Sequence, residues 1–237
     1  MSRFSNRALQ FGATGFRGVG LAARARRLSM RILLGALMTL GGANAAVTSE
    51  RPSHTPDAST VTGFNDPLVK RWNRLREQMR LDDLIVSSCV EDETDGCSAA
   101  KKLIDVVDEA QRYQGRAMIG HVNRSINLMI KPSDGSWTSA LDILQVGKGD
   151  CKDYSIAKYA ALLRAGISPD RIRLIIVYNK VRKENHMVVS VYDDGQWLLL
   201  DNLTMLLVRD TDQEDYVPMY VLDETGVRRY ISWVQSG

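Results

Sequence analysis

Between residues 65 and 166 apolar side chains recur at helical spacing, and beyond residue 170 the period shortens to two. Leu68, Trp72, Leu75 and Met79 form one stripe, with Asp66 as N-cap and Pro67 at the first helical position. Ser98 is placed to cap a second helix whose Leu103, Val106, Val107 and Ala110 face inward. A third helical stretch runs from Gln114 to Ile130 along Met118, Ile119, Val122, Ile126 and Met129. Residues 131–136 read as a turn, Ser139 to Val146 as a short helix or turn, and Gly147-Lys148-Gly149 as a break. Asp150 to Ala165 is the next predicted helix, closed by Gly166.

The second half reads as strands: 172–178, 186–192 and 196–201, then 216–222 and 227–233. Asp194-Gly195 is a strong hairpin turn between the second and third. Helices first and antiparallel strands second give an α+β fold. The domain is expected over residues 65–237, behind a polar leader at 46–64 that holds two prolines.

Charge changes the picture only at the N-terminus. Residues 1–45 carry seven arginines, no lysine and no acid, then an uncharged apolar run at 32–40 and an Ala-x-Ala site ending at Ala45. That order is a secretory signal peptide cleaved after Ala45, so the mature protein is expected in the periplasm. The apolar run is too short to span a bilayer easily, although an uncleaved amphipathic anchor is the alternative. Met30-Arg31 would itself make a compact start. Without residues 1–45, 24 basic residues face 28 acidic ones. The basic balance therefore belongs to the export signal, and with no basic cluster among aromatics a nucleic-acid partner is set aside.

Export also bears on the three cysteines, Cys89, Cys97 and Cys151. In an oxidising compartment Cys89 and Cys97 pair around a short acidic loop, or else remain two free thiols. The histidines (His54, His121, His186) do not fall at zinc-ligand spacing with them. Cys151 is left over. It begins a predicted helix behind Gly147 and Gly149, where the helix dipole and unpaired N–H groups favour a thiolate. The two glycines would let a substrate backbone come close.

The hairpin supplies the rest. With Asp194-Gly195 as its two-residue loop, Asp193 pairs with Gln196 and Asp201 falls opposite Val188. Side chains alternate along a strand, so His186, Val188 and Ser190 share a face with Asp201, and His186 and Asp201 become diagonal neighbours. A three-residue loop would turn Asp201 away. Nucleophile Cys151, base His186 and orienting Asp201 are the three parts of a thiol-peptidase triad. Alone, Asp201 could equally turn the chain together with Asn202.

Gly147-Lys148-Gly149-Asp150-Cys151-Lys152-Asp153-Tyr154, the His186 strand and Leu200-Asp201-Asn202 resemble the bacterial transglutaminase-like cysteine peptidases. The Cys89–Cys97 pair, the 122–127 segment Val-Asn-Arg-Ser-Ile-Asn, and Trp137 ahead of the helix are further echoes. The resemblance implies a papain/transglutaminase-like core and a triad on Cys151, His186 and Asp201, with Trp137, Gly149 and Asn202 lining the substrate cleft. It implies a large secreted adhesin as substrate, cut near its N-terminus to limit biofilm, and control by an inner-membrane cyclic-di-GMP receptor. The chemistry requires no cofactor. Adhesin proteases of this family bind calcium beside the nucleophile, and Asp150 matches the first acid. Lys152 replaces the second, which puts calcium in doubt, and Asp153 or Asp134 could compensate. Asp150 and Asp153 read equally as a capping box. Trp137 reads as cleft wall or core, His121 as a packing residue, and 210–215 as a solvated loop. The rival readings are a transglutaminase or amidase with the same triad, and a periplasmic adaptor without activity.

Overall fold

The computed structural model describes residues 59–61, 65–91, 95–135 and 137–230. The signal-peptide reading and most of the leader lie outside the described residues. Among the described residues, five helices precede the run of strands from residue 172 onward: α1 (Pro67–Glu91), α2 (Ser98–Ala110), α3 (Gly115–Met129), α4 (Ala140–Val146) and α5 (Cys151–Arg164). Among the described residues, no helix is long and apolar enough to cross a membrane. Strands are β1 (Ser59–Val61), β2 (Lys131–Pro132), β3 (Lys148–Gly149), β4 (Ile172–Asn179), β5 (Glu184–Asp193), β6 (Gln196–Leu200), β7 (Val208–Arg209), β8 (Tyr216–Asp223) and β9 (Gly226–Arg229). Seven of them form one antiparallel sheet in the order β1-β9-β8-β4-β5-β6-β7, and β2 and β3 make a short parallel pair. The helices-then-sheet order is the α+β arrangement expected.

The central helix α5 lies against β4 and β5. Its Ile156, Ala157, Ala161 and Leu162 bury into the main core with Leu174, Met187, Val189 and Leu200 of the sheet. The alternate sheet residues Ile175, Val177, Val188 and Leu199 form a smaller cluster with Tyr216. This division follows from strand alternation. The Cys89–Cys97 disulfide joins the end of α1 to the start of α2. Trp72, on α1, is fully buried and donates its Nε1–H to the Asp223 carbonyl at 2.9 Å, which ties the first helix to the sheet.

Several local expectations change. Ser98 does not cap α2: the helix begins at Ser98, and Cys97 holds the cap position without a side-chain hydrogen bond. The chain enters through a 3-10 turn, Asp95–Cys97, so the disulfide rather than a hydroxyl fixes this end. Met129 is exposed, because α3 ends there and Ile130 takes the buried place. Lys131 and Pro132 are paired to Lys148 and Gly149 rather than free in a turn. Asp210 is buried in a 3-10 turn, not solvated, and its charge acts on the buried guanidinium of Arg173. Ser59–Val61, within the stretch read as leader, pairs with β9 at the sheet edge.

Candidate active site

The mouth of α5 is built by a capping box. Asp150 Oδ1 accepts the Lys152 N–H at 2.9 Å, and Asp153 Oδ2 accepts the Asp150 N–H at 3.0 Å. Both satisfy groups that a helix start leaves open. Lys131 N–H donates to the Gly147 carbonyl and Ser133 N–H to the Gly149 carbonyl, each at 2.9 Å, strapping the 131–135 segment alongside. Cys151 is half-buried on the first turn and is the free cysteine of the described residues.

The glycines serve this mouth differently from expectation. Gly147 has φ +66° and closes α4 as its left-handed C-cap. Gly149 is buried, and a Cβ there would come within 2.5 Å of Asp153 Cβ. The close approach that glycine permits within the chain is to its own capping acid.

The hairpin register is the two-residue one: Asp193 pairs with Gln196 and Val189 with Leu200. Asp201, the next residue, accepts from His186 Nε2 at 2.8 Å. Both side chains are buried. Cys151 lies close enough to the same imidazole for its sulfur to act on it. With Nε2 committed to Asp201, Nδ1 is the nitrogen left to meet the sulfur. The structure thus brings together all three residues of the expected triad.

Burial alone would lower the His186 pKa. The hydrogen bonds and charges of Asp201 and Cys151 outweigh it and push the imidazole up to about 9. Burial raises Asp201 in turn, but hydrogen bonds from His186, Tyr216 and the Leu203 N–H hold it below its ordinary value. Asp201 is therefore a fixed anion and His186 a stabilised cation.

Three residues, Tyr216, Asn127 and Ser155, make supporting contacts to which the sequence reading assigned no role. Tyr216 Oη donates to Asp201 Oδ2 at 2.5 Å, so both carboxylate oxygens are engaged. Asn127 Nδ2 donates to the carbonyls of Asp201 and Thr204, at 2.9 and 3.0 Å, and pins the loop after β6. Ser155 Oγ donates to the Met187 carbonyl at 3.0 Å, fixing α5 beside the His186 strand. Asn127 was singled out only as the end of the 122–127 segment that echoes the family. Tyr216 gave no signal, being brought in only by the β4–β8 pairing. Lys158, two turns from Cys151 on α5, is fully buried and its Nζ has no hydrogen-bond partner. Burial pushes that ammonium down to about 7, with Asp201 acting in the opposite sense.

Of the cleft residues expected, Trp137 packs partly into the main core, has φ +57°, and lies 5.4 Å beneath the Arg71 guanidinium. Its N–H donates to Asp153 Oδ1 at 3.3 Å, which places it at the helix mouth. Asn202 follows Asp201 with its Oδ1 buried and unpartnered. His121 stacks on Tyr113 and meets Ser125, a packing residue as expected.

A family model described as bacterial transglutaminase-like cysteine proteinase matches residues 85–235, well over half of the chain. The chain belongs to this family. It is a cysteine peptidase with a transglutaminase-like core. Among solved structures, Legionella pneumophila LapG is similar at 22% identity and a TM-score of 0.54, over 62% of this chain and 87% of that one. An EGTA-treated LapG gives the same identity and score, over 62% and 84%. A calcium-bound LapG gives 22% and 0.52, over 68% and 94%. At that identity the likeness is one of fold. Among curated protein sequences none matches.

Proposed function

We propose that this peptidase is exported to the periplasm and cuts a large cell-surface adhesin near its N-terminus. Release of the adhesin limits biofilm, and an inner-membrane cyclic-di-GMP receptor holds the enzyme in check. Cys151 is the nucleophile, His186 the acid–base and Asp201 the residue that positions His186. The observation that carries these roles is the His186–Asp201 hydrogen bond, with Cys151 acting on the same imidazole. The export signal and the family's motif support the compartment and substrate class.

In this mechanism the proton lost by Cys151 already resides on His186, so a thiolate faces the imidazolium before substrate arrives. Sulfur attacks the scissile carbonyl, and the oxyanion forms near the Cys151 backbone N–H at the start of α5. His186 then protonates the departing amine as the C–N bond breaks, giving a thioester. Water, deprotonated by His186, attacks the thioester carbonyl; the C–S bond breaks, the acyl product leaves as a carboxylic acid that gives its proton to solvent, and the thiolate–imidazolium pair is restored. Trp137 and Asn202 border this site and would contact the substrate chain, whereas Gly149 shapes the wall from behind. No step calls for a metal.

One LapG structure is described as calcium-bound. The corresponding acids here do not fit that ion: Asp150 and Asp153 spend their oxygens on the capping box, the Trp137 N–H and the Lys152 ammonium. Among the described residues no three acids, histidines or cysteines converge on a metal position.

The test is cleavage of a recombinant adhesin N-terminal region by the purified protein and by Cys151→Ala, read by mass spectrometry with an amine present. New chain termini with the unsubstituted protein, and none with a folded Cys151→Ala, are expected. Full cleavage by the variant would end the assignment, and amine incorporation in place of new termini would make the enzyme a transglutaminase.

A further inference from the structure

Lys152 follows the nucleophile directly, and its ammonium is ion-paired to Asp150 Oδ2 while its backbone N–H is bound by Asp150 Oδ1. One residue thus occupies both oxygens of the acid preceding Cys151. The second acid, Asp153, is 1% exposed and receives N–H groups on both oxygens, from Asp150 and Trp137. Gly135 and the Trp137 N–H lie close against this pair. A Cβ at Gly135 would fall 2.3 Å from Asp150 Oδ1 and 2.4 Å from Asp153 Oδ2. Two half-buried or buried carboxylates so close need a positive charge. A divalent ion would need six to eight oxygens, and a tethered ammonium both repels it and takes one of them.

We infer that Lys152 is a built-in replacement for the metal: its ammonium neutralises Asp150 and holds the mouth of α5 closed, so the fold needs no calcium. This deepens the peptidase reading above by fixing how its helix mouth is held, and rests on it only for the meaning of that mouth. The consequence for function is insensitivity to the calcium level of the surroundings.

The test needs no substrate. The purified protein, stripped with EGTA, is titrated with calcium chloride by calorimetry and melted with and without 1 mM calcium, magnesium serving as control. No saturable heat and an unchanged melting temperature are expected. Lys152→Glu, which restores an oxygen ligand and removes the ammonium, is expected to melt lower in EGTA and to regain stability with calcium. Calcium at 100-fold above its Kd would raise that melting temperature by roughly 5–10 °C. Lys152→Met is expected to melt lower than the unsubstituted protein whether or not calcium is present. Saturable calcium binding by the unsubstituted protein, or a loss of its stability in EGTA, would overturn the inference. So would a folded Lys152→Glu protein that ignores calcium. Because binding and melting are read without turnover, the inference can fail while the peptidase assignment stands, and the reverse.

Discussion

At the scale of single residues, the site depends on how His186 keeps its proton. Its pKa is raised to about 9, so the imidazolium's stabilising contacts are fully present below the ordinary histidine value and are lost as pH rises through about 9. The depressed Asp201 works in the opposite sense: its contribution is present above the ordinary carboxylate value and disappears as pH falls through the lowered one. Since His186⁺ must protonate the leaving amine, kcat/KM on a peptide reporter should fall on the alkaline side with an apparent pKa near 9. Asp201→Asn should move that limb to lower pH and reduce kcat/KM by about 10²–10⁴. An alkaline limb that stays in place in the variant would show that Asp201 does not govern the imidazole. The His186–Asp201 pair was legible because a two-residue Asp-Gly turn fixes the hairpin register, and the register fixes the face. Tyr216 was not legible: its approach to Asp201 depends on a long-range pairing with β4 that no local pattern encodes. The need for glycine at 149 was legible, but its packing against Asp153 was not, since sequence does not say which atoms of the chain a missing Cβ makes room for.

At the scale of elements, the helices of the first half could be read from their stripes, and their ends could be read less well. α1 continues to Glu91, well beyond Met79, where its stripe was last followed. Short strands were missed for a physical reason. β1 and β7 hold three and two residues, too few to display a period, and exist only because a neighbour offers its edge. The disulfide between α1 and α2 belongs to this scale as well. Closing a loop with a sequence separation of 8 removes unfolded-chain entropy worth about 2–3 kcal/mol. Replacing both cysteines by serine should therefore lower the melting temperature by roughly 5–10 °C. The nucleophile is left in place, so activity at low temperature should persist. Unchanged melting would mean the bond does not restrain the helix pair.

At the scale of the whole molecule, α5 and the sheet are the two bodies that must meet correctly. The helix brings Cys151 on its first turn, the hairpin brings His186 and Asp201, and the Ser155–Met187 hydrogen bond and the shared core hold them in register. Charge at this scale is modest once residues 1–45 are set apart, with 24 basic residues against 28 acidic. The proposed protein substrate would then be held by shape and local contacts around the cleft rather than by a long-range field. The most direct test of the thiol–imidazole pair is the rate at which iodoacetamide alkylates Cys151 at pH 6, compared between the unsubstituted protein and His186→Ala. A rate at least about tenfold higher with the histidine present is predicted, because the imidazole takes the proton that otherwise masks the sulfur. Equal rates in the two folded proteins would contradict it.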